Sequence, residues 1–387
     1  MDRVQRVGVP TGDDVLRLLP ALADALSGSG PALLPVPPGP TAGPLLAAAR
    51  VDEPVAEGTA LLLATSGSTG APKVVELGAD ALRASAVATT TALGGPARWL
   101  LALPVAHVAG WQVLVRSVVA GTEPVVLDVS QRFTPAAFAT AAGRLGHTRA
   151  CTALVPTQLH RLLADPAGRE ALTRFAAVLV GGAATSPALL ERARAAGITV
   201  VTTYGMTETA GGCVYDGRPL DGVRVAVEDD GRVRLGGPVL ARGYRGDDSA
   251  TREAFTEDDD GRWFRTADAG RIDDGVLSVS GRIDDVVVTG GRKVAPAAIE
   301  RVVGELPDVE ACVVVGVPDA EWGQAVTALV VGAADAAAVR AHVTARLGAT
   351  HAPRHVLHVA ELPLLGIGKP DRAAAVDLAT RALGSGG

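Results

Sequence analysis

An apolar run at residues 61–64 is followed directly by Thr65-Ser66-Gly67-Ser68-Thr69-Gly70-Ala71-Pro72-Lys73. The two glycines let the backbone turn several amide groups toward one point, and the Ser and Thr hydroxyls add further donors. We therefore predict a loop that binds phosphate oxygens. It is not a Walker loop, because Pro72 beside Lys73 favours extended backbone over the start of a helix. A Ser/Thr-rich surface turn is the alternative interpretation.

Outward from this loop, short apolar runs alternate with helical patterns. The strand-like runs lie at residues 60–64, 99–103, 124–128, 150–155, 176–180 and 199–202, and the helical ones at 79–93, 135–145, 157–163 and 186–195. Runs that are apolar throughout are typical of strands covered on both faces. We predict an α/β fold with parallel-rich sheets covered by helices. The Gly/Pro-rich segment 27–43 is expected to be an irregular connection.

The pattern changes twice further along the chain. After Tyr215, short strands separated by glycines and acidic turns predict a small β-rich subdomain. After Asp284, a compact α+β unit is expected. Its predicted elements are strands at 286–289, 311–317, 325–331 and 355–359, a helix from near Pro296, and a helix that ends at Leu347 with Asp335 as its N-cap. We predict a large N-terminal domain at residues 1–283 and a small mobile domain at 284–387.

The composition excludes several classes of protein. With 48% hydrophobic and 20% charged residues, the 387-residue chain is globular, and its net charge of -6 argues against a nucleic-acid partner. The most apolar stretch, residues 99–115, is interrupted by polar residues, so we expect no membrane span, and residues 1–14 lack the apolar core of a signal peptide. The widely separated Cys151, Cys213 and Cys312 predict neither a disulfide framework nor a zinc site, which fits a cytoplasmic location.

Lysine is rare in this chain. Only three of the 36 basic residues are lysines, namely Lys73, Lys293 and Lys369, and the rest are arginines. An arginine serves as well at an ordinary surface position, whereas a compact point charge that must reach one oxygen requires lysine. The three lysines are therefore candidates for chemistry, with chance survival on the surface as the alternative.

A second motif, Tyr204-Gly205-Met206-Thr207-Glu208-Thr209, follows the apolar run at 199–202. The Glu208 carboxylate is suited to Mg²⁺ and the Thr207 hydroxyl to a phosphate, as around a nucleoside triphosphate. A Thr/Glu pair that caps the start of a helix is the alternative.

Two segments near the predicted domain boundary contain candidate ribose-binding residues. Asp268, in Trp263-Phe264-Arg265-Thr266-Ala267-Asp268-Ala269-Gly270, is suited to bind both hydroxyls of a ribose. Arg282, in Gly281-Arg282-Ile283-Asp284-Asp285, can join it. An ordinary turn residue is the alternative for Asp268.

A last segment, Leu364-Leu365-Gly366-Ile367-Gly368-Lys369-Pro370, places Lys369 on a glycine-flanked loop that domain motion can deliver to a distant site. A solvated loop lysine is the alternative for this residue.

In this order and at these separations, the segments resemble the adenylate-forming acyl-CoA synthetase superfamily from about Ala60 to Asp371. The resemblance implies a large adenylation domain and a small mobile C-terminal domain. It also implies ATP, Mg²⁺ and coenzyme A. A carboxylate would attack the α-phosphorus of ATP with release of pyrophosphate, and the thiol of coenzyme A would then displace AMP from the acyl adenylate.

The resemblance assigns roles residue by residue. The positions that match superfamily motifs are Thr65, Ser66, Gly67, Ser68, Thr69, Gly70 and Lys73 for phosphate, Gly181, Gly182 and Ala183 for the adenine side, Tyr204 and Gly205 for the nucleotide, Glu208 for the metal, Asp268 and Arg282 for ribose, Asp284 for the hinge, and Lys369, Thr207 and Glu208 for catalysis. Gly290 and Gly291 would admit the pantetheine arm, and Arg292 and Lys293 would meet the phosphates of coenzyme A, a solvated basic turn being the alternative.

Two departures from the superfamily pattern stand out. Ala267 occupies the position of a glycine that the superfamily usually has. The stretch before the phosphate loop is also shorter than is usual, from which we expect part of the N-terminal subdomain to be absent.

Two further segments narrow the resemblance. Residues 103–111 and 363–372 are similar to the actinobacterial family of 2-succinylbenzoate-CoA ligases of menaquinone biosynthesis. The first segment lines the acid side of the cleft in the superfamily. A second carboxylate on the substrate needs a partner, for which His107 is the first candidate and Arg116 the second. A hydrogen-bonded core histidine and an outward-facing helix arginine are the respective alternatives.

Other functions remain open at this point. The chain fits a ligase for another aryl or acyl acid, an enzyme that stops at the adenylate, or a non-catalytic nucleotide-binding regulator. Lys369 and Glu208 argue against the regulator, because a pure binding protein has little use for either. The oligomeric state is also open, with a homodimer as one option.

Overall fold

The computed structural model describes residues 3–65, 72–364 and 370–384. Within these residues the chain forms 22 strands and 12 α-helices. The strands are β1 (Val4–Gly8), β2 (Ala32–Val36), β3 (Thr59–Thr65), β4 (Lys73–Gly78), β5 (Arg98–Leu101), β6 (Val125–Val126), β7 (Ala150–Leu154), β8 (Ala177–Val180), β9 (Val200–Met206), β10 (Gly211–Tyr215), β11 (Arg218–Pro219), β12 (Arg224–Val227), β13 (Arg232–Gly236), β14 (Gly243–Tyr244), β15 (Phe255–Asp258), β16 (Gly261–Asp273), β17 (Val276–Arg282), β18 (Val287–Thr289), β19 (Arg292–Val294), β20 (Val309–Asp319), β21 (Gly323–Gly332) and β22 (His355–His358). The helices are α1 (Leu18–Ser27), α2 (Ala42–Ala48), α3 (Ala79–Ala92), α4 (Val108–Val119), α5 (Pro135–Gly143), α6 (Pro156–Ala164), α7 (Pro166–Leu172), α8 (Pro187–Ala195), α9 (Asp248–Ala254), α10 (Pro296–Val303), α11 (Ala336–Leu347) and α12 (Arg372–Gly384).

A seven-stranded sheet forms the centre of the first part of the chain, in the order β11-β10-β9-β8-β7-β5-β6. The strands from β9 to β6 are parallel, and β10 and β11 extend the sheet antiparallel. Neighbouring residues of one strand pack on opposite faces. Trp99 and Leu101 lie in one apolar core and Leu100 in another. Both faces are therefore covered, which confirms the predicted α/β class.

A second sheet, in the order β1-β2-β3-β4-β14, corrects one prediction. The segment 27–43 was expected to be irregular, but it contains β2, which pairs in parallel with β1 and, through Leu33 and Leu61, with β3. Its residues Ala32, Leu33 and Leu34 are buried. The prediction was wrong because the flanking Gly and Pro residues hid a short buried strand, whose only proline lies near its end.

Two mainly antiparallel sheets follow. β12, β13, β16, β15 and β17 form the predicted β-rich subdomain, with β17 paired to β16. The last sheet has the order β19-β18-β21-β20, and β22 joins β21 in parallel. Two apolar cores contain only residues from Val287 onward, so the last part of the chain has cores of its own.

Several helices begin where the sequence supplies a cap. Thr134, Asp165 and Ser186 each accept a backbone N–H from the first turn that follows, and a proline comes directly after each of them. Asp335 accepts from Ala337 and Ala338 at the start of α11, as predicted. In the described part of the chain, no helix has the length and apolar character needed to cross a membrane.

Candidate active site

The predicted nucleotide residues converge where parallel strands end. Gly181, Gly182 and Ala183 follow β8, and Tyr204 to Glu208 form the end of β9 and the turn after it. Because β8 and β9 are parallel neighbours, their carboxyl ends share one edge of the sheet, the usual place for a ligand in an open α/β fold. The segment that contains His107 follows β5 at the same edge.

Two of these glycines leave no room for a side chain. A Cβ on Gly181 would lie 2.2 Å from Thr203 Oγ1, and one on Gly205 would lie 2.2 Å from the carbonyl oxygen of Gly211. Gly181 thus allows β8 and β9 to approach closely at their ends, and Gly205 does the same for β9 and β10. The glycines have a packing reason that stands beside the predicted nucleotide role.

The phosphate loop connects two strands. Thr65 ends β3 and Lys73 begins β4, and the two residues pair in the antiparallel register of that hairpin. A strand after Lys73 agrees with the distinction from a Walker loop, in which a helix would follow. Residues 66–71, which include Ser66, Gly67, Ser68, Thr69 and Gly70, lie outside the described residues.

Glu208 lies in a three-residue 3₁₀ turn, and it is only 9% exposed. Its Oε1 accepts a hydrogen bond of 3.0 Å from the Tyr244 hydroxyl. The capping alternative for the Thr207/Glu208 pair is wrong, because Thr209 makes the cap hydrogen bond with the Met206 N–H instead. Burial and the charge of Glu208 raise the pKa of Tyr244, so its phenol stays protonated and remains a donor.

The donor set near Glu208 suits a magnesium ion that arrives on phosphates. Among the described residues, no cluster of three or more His, Cys, Asp or Glu side chains forms a metal site. A single carboxylate is enough for Mg²⁺ when nucleotide phosphates and water supply the remaining ligands. The residues present therefore fit metal-bound ATP better than a resident metal.

Asp268 and Arg282 lie opposite each other in the β16–β17 ladder. Asp268 is a strand residue, so its interpretation as an ordinary turn residue is wrong. The Tyr204 hydroxyl donates to Asp268 Oδ2 at 2.7 Å, which joins the end of β9 to β16. Ala267 lies in the same strand and is not among the residues with positive φ, so its methyl group fits the backbone there.

The turn after Glu208 carries strained backbone. Ala210 has φ of 50° and ψ of 35°, a left-handed conformation that is unfavourable for alanine. Its carbonyl oxygen accepts hydrogen bonds from Gln112 Nε2 at 2.6 Å and from Ser85 Oγ at 3.1 Å. Both donors are buried, so helices α3 and α4 hold the turn in place.

Arg116 lies one helical turn after Gln112 and is only 4% exposed. Its interpretation as an outward-facing helix residue is wrong, because it packs with its Cζ 4.9 Å from the centroid of the Trp99 ring. Its Nη2 donates to the Tyr215 hydroxyl at 3.4 Å, and its buried Nε has no hydrogen-bond partner. None of the ion pairs among the described residues includes Arg116, so the structure buries a cation without a carboxylate.

His107 is half-buried and is the residue that precedes α4. Arg116 is nine positions further along the chain, so the backbones of the two residues lie about 13 Å apart along the helix axis. They are near opposite ends of α4. The acid-binding roles of both residues stay predictions.

The residues predicted to meet coenzyme A form a hairpin turn. Gly290 and Gly291 both have positive φ, 54° and 75°, and connect β18 to β19. A Cβ on Gly290 would lie 2.7 Å from the Trp322 ring, whereas nothing lies within 4 Å of the same position on Gly291. Packing on Trp322 thus explains Gly290, and Gly291 faces open space.

The surroundings of this turn are basic. Arg292 and Lys293 are exposed, and the guanidinium of Arg354 stacks on Trp322 with Cζ 3.5 Å from the ring centroid. Trp322 and Arg354 are further candidates for this surface that sequence patterns did not indicate.

Lys369 lies outside the described residues, but the base of its loop does not. Leu364 and Pro370 form an antiparallel bridge, and the Asp371 N–H donates to the Pro363 carbonyl at 2.9 Å. The two ends of the loop are therefore held together.

Arg372 then ties the loop base to the rest of the last unit. Its Nη1 lies 2.8 Å from Glu300 Oε1 and 2.7 Å from the Val314 carbonyl oxygen, and its Nε lies 2.8 Å from Asp285 Oδ2. Asp285 is the neighbour of the predicted hinge residue, so one side chain connects the loop base, α10 and the hinge region.

Sequence reasoning singled out Tyr204 through its motif but missed two residues of the same type, Tyr215 and Tyr244. The chain has three tyrosines, Tyr204, Tyr215 and Tyr244. Each tyrosine hydroxyl makes a hydrogen bond with a charged residue of the candidate site: Tyr204 with Asp268, Tyr215 with Arg116 and Tyr244 with Glu208. Rarity of a residue type, which singled out the lysines, would also have singled out the tyrosines.

Comparison with known proteins places this geometry in a family. The model of the AMP-binding enzyme family matches residues 10–245, and the model of the AMP-binding enzyme C-terminal domain matches residues 298–369. A probable 2-succinylbenzoate–CoA ligase of Mycobacterium tuberculosis is 48% identical over 95% of this chain and 96% of its own length.

Two solved structures are similar over nearly the whole chain. An amide bond synthetase from Marinactinospora thermotolerans has a TM-score of 0.79 and 26% identity over 97% of this chain and 90% of its own. The o-succinylbenzoate CoA synthetase of Bacillus subtilis, solved with its acyl-adenylate intermediate, has a TM-score of 0.71 and 26% identity over 96% of this chain and 82% of its own.

Proposed function

Because the chain belongs to the AMP-binding enzyme family, we propose that it is an ATP-dependent acid–CoA ligase that converts 2-succinylbenzoate to its CoA thioester. The reaction has two steps. The acid carboxylate attacks the α-phosphorus of ATP, which breaks the bond to pyrophosphate and forms an acyl adenylate. The thiol sulfur of coenzyme A then attacks the acyl carbon, and AMP leaves with the electron pair of the broken bond.

The observation that carries the choice of acid is the buried, unpaired guanidinium of Arg116. A cation removed from water without a counter-ion is costly, and a ligand carboxylate would offset that cost. 2-Succinylbenzoate has two carboxylates, of which one is activated and one stays anionic. Arg116 would bind the second carboxylate, while His107, whose backbone is about 13 Å away along α4, would lie nearer the activated one.

Adenylation then requires that the acid carboxylate and the triphosphate of ATP, which are both anionic, be brought together. The Tyr204–Asp268 pair supports the placing of Asp268 for the ribose, with Arg282 opposite it in the ladder. The phosphate loop between Thr65 and Lys73 would bind the departing pyrophosphate, and Glu208 would hold Mg²⁺ on the phosphates. Mg²⁺ supplies neutralisation of the phosphate charge when it is bound.

The second step depends on movement of the C-terminal unit. We place the domain boundary at Asp284, so that residues 284–387 rotate about it. Lys369 would bridge the acid carboxylate and the α-phosphate in the first step and withdraw in the second. The hairpin of Gly290 and Gly291, with Arg292 and Lys293 beside it, would then face coenzyme A, and the Trp322–Arg354 stack offers an aromatic and cationic surface next to it.

A panel of acids tests the proposed function. The purified protein is incubated with ATP, Mg²⁺ and coenzyme A, and AMP, pyrophosphate and acyl-CoA are measured for 2-succinylbenzoate, benzoate and short fatty acids. We expect acyl-CoA only with 2-succinylbenzoate. If another acid yields acyl-CoA, that acid is the substrate instead of 2-succinylbenzoate, and the proposed two-step mechanism still stands. Pyrophosphate without acyl-CoA would indicate an enzyme that stops at the adenylate, and no product with any acid would contradict the proposal.

A further inference from the structure

We propose that Tyr244 is a positioning residue that orients the Glu208 carboxylate and the Lys73 ammonium toward the Mg²⁺-bound triphosphate of ATP, a role that rests on the proposed function. Tyr244 was not assigned a role from the sequence. It contacts both charged residues, which come from different parts of the chain.

The backbone of Tyr244 is fixed from two sides. β14 pairs antiparallel with β4, with Tyr244 opposite Val75, so Tyr244 lies beside the strand that begins at Lys73. The Tyr244 N–H also donates to Thr251 Oγ1 at 2.9 Å. The ring packs edge-on against Phe255, with 6.0 Å between the centroids. These contacts fix the position of the phenol in the absence of a ligand.

The segment that ends at Tyr244 contacts Glu208 twice. The Tyr244 hydroxyl donates to Glu208 Oε1 at 3.0 Å, and the Ala241 N–H donates to the Glu208 carbonyl oxygen at 2.8 Å. The first bond directs the side chain and the second directs the backbone. The carboxylate of Glu208, in the turn between β9 and β10, is therefore oriented by a strand that belongs to a different sheet from β9 and β10.

Lys73 is held by the face of the same ring. Its Nζ lies 5.1 Å from the centroid of Tyr244, within the range of a cation–π contact. Tyr244 thus contacts the Lys73 ammonium with its ring face and the Glu208 carboxylate with its hydroxyl. Such an arrangement suits a ligand that brings both phosphate oxygens and a divalent cation.

Tyrosine is the side chain that can do this without neutralising its neighbours. A phenol donates one hydrogen bond and carries no charge, so Glu208 keeps its negative charge for Mg²⁺. An arginine or lysine in its place would form an ion pair with the carboxylate and compete with the metal. The ring face attracts Lys73 less strongly than a carboxylate would, which leaves the ammonium available to phosphate.

The test compares two tyrosines that each donate to a carboxylate. Tyr244→Phe removes the hydroxyl at Glu208 and keeps the ring, and Tyr204→Phe removes the hydroxyl at Asp268. Binding of ATP is measured by isothermal titration calorimetry over a series of MgCl₂ concentrations, without acid, so that no reaction occurs. Thermal unfolding of each variant confirms that it is folded.

We expect Tyr244→Phe to raise the Mg²⁺ concentration for half-maximal ATP binding by about tenfold, as is usual for loss of a hydrogen bond to a charged group, and to leave metal-free ATP binding unchanged. Tyr204→Phe should weaken ATP binding by a similar factor at every Mg²⁺ concentration. Tyr244→Leu, which also removes the ring from Lys73, should weaken metal-free binding as well. An unchanged Mg²⁺ dependence in Tyr244→Phe, or the same shift in Tyr204→Phe, would overturn the proposal.

A double-mutant cycle with Glu208→Gln separates this inference from the proposed function. If Tyr244 acts through Glu208, Tyr244→Phe adds no further change in the Glu208→Gln background. If Glu208→Gln shifts the Mg²⁺ dependence and Tyr244→Phe does not, only the positioning role is wrong. If neither variant shifts it, the metal role of Glu208 fails first, and the positioning role fails with it. If both act on ATP binding but no acid yields acyl-CoA, the positioning role stands and the proposed ligase activity does not.

Discussion

The guanidinium of Arg282 donates two hydrogen bonds to the carboxylate of Asp284, from Nε to Oδ1 at 2.8 Å and from Nη2 to Oδ2 at 2.6 Å. The first residue is the one we propose for the ribose, and the second is the one we propose for the hinge. The pair raises the pKa of Arg282, chiefly through these hydrogen bonds. The fork uses two of the five N–H groups of Arg282, so a ribose bound there would meet a guanidinium already oriented by the carboxylate of the proposed hinge residue.

We expect Asp284→Pro to leave acyl-adenylate formation measurable and to suppress transfer to coenzyme A, because proline fixes φ at the proposed pivot. Asp284→Ala is the control, since it removes the carboxylate and keeps backbone freedom. Pyrophosphate release and acyl-CoA formation are measured separately for both variants. Normal transfer by the proline variant would show that the pivot lies elsewhere.

Arg116→Met should abolish use of a dicarboxylate and make the protein more stable. Methionine fills a similar space without a buried charge, and replacement of buried charges by apolar side chains often stabilises by about 1–4 kcal/mol. Thermal unfolding without ligand and acyl-CoA formation with 2-succinylbenzoate check the two parts. Arg169→Met, at an exposed position on α7, should change neither. A destabilised Arg116→Met protein would mean that the guanidinium is satisfied by the fold itself.

Lys369→Ala should reduce adenylation at least about 100-fold, as expected for loss of a charge that stabilises a developing anion, and spare thioester formation from supplied acyl adenylate. Lys293→Ala should do the opposite and raise the KM for coenzyme A without affecting pyrophosphate release. Single-turnover measurement of each half-reaction compares the two variants. Equal loss of both half-reactions in Lys369→Ala would contradict its proposed withdrawal in the second step.

Arg372→Ala should destabilise the C-terminal unit by about 3 kcal/mol, because it leaves Glu300 without its cationic partner in a mostly buried position. Arg340→Ala, which removes an exposed guanidinium bonded only to the Arg354 carbonyl, should change the free energy of unfolding by less than about 0.5 kcal/mol. Denaturant unfolding followed by far-UV circular dichroism measures the free energy of unfolding of both variants. Similar losses in both variants would argue against a special role for the Glu300–Arg372–Asp285 contacts.

Contiguous patterns were readable from the sequence because each depends on neighbours in the chain. Alternation of apolar runs predicted the parallel strands from β5 to β9, and Asp335 predicted the start of α11 through a cap that spans three residues. The strand β2 was missed, since a five-residue strand with four buried residues, flanked by Gly and Pro, carries too short a pattern to stand out.

Orientation within an element was decided only by the tertiary structure. Residues 110–117 of α4 are all buried, so no polar face indicates which way Arg116 points. Its direction is set by Trp99 and Tyr215, which lie 17 residues before and 99 residues after it.

The motifs were readable from the sequence, but the distant residues that hydrogen-bond to them were not. Rare lysines and glycine-rich segments are local, and the sequence alone was enough to single them out and to indicate the nucleotide chemistry. Tyr244, on β14, and Glu208, in the turn after β9, are 36 residues apart, and Tyr204 and Asp268, on strands of different sheets, are 64 residues apart. A hydrogen bond depends on an angle and on a separation near 3 Å, and only the packing of the sheets brings such distant residues to that separation.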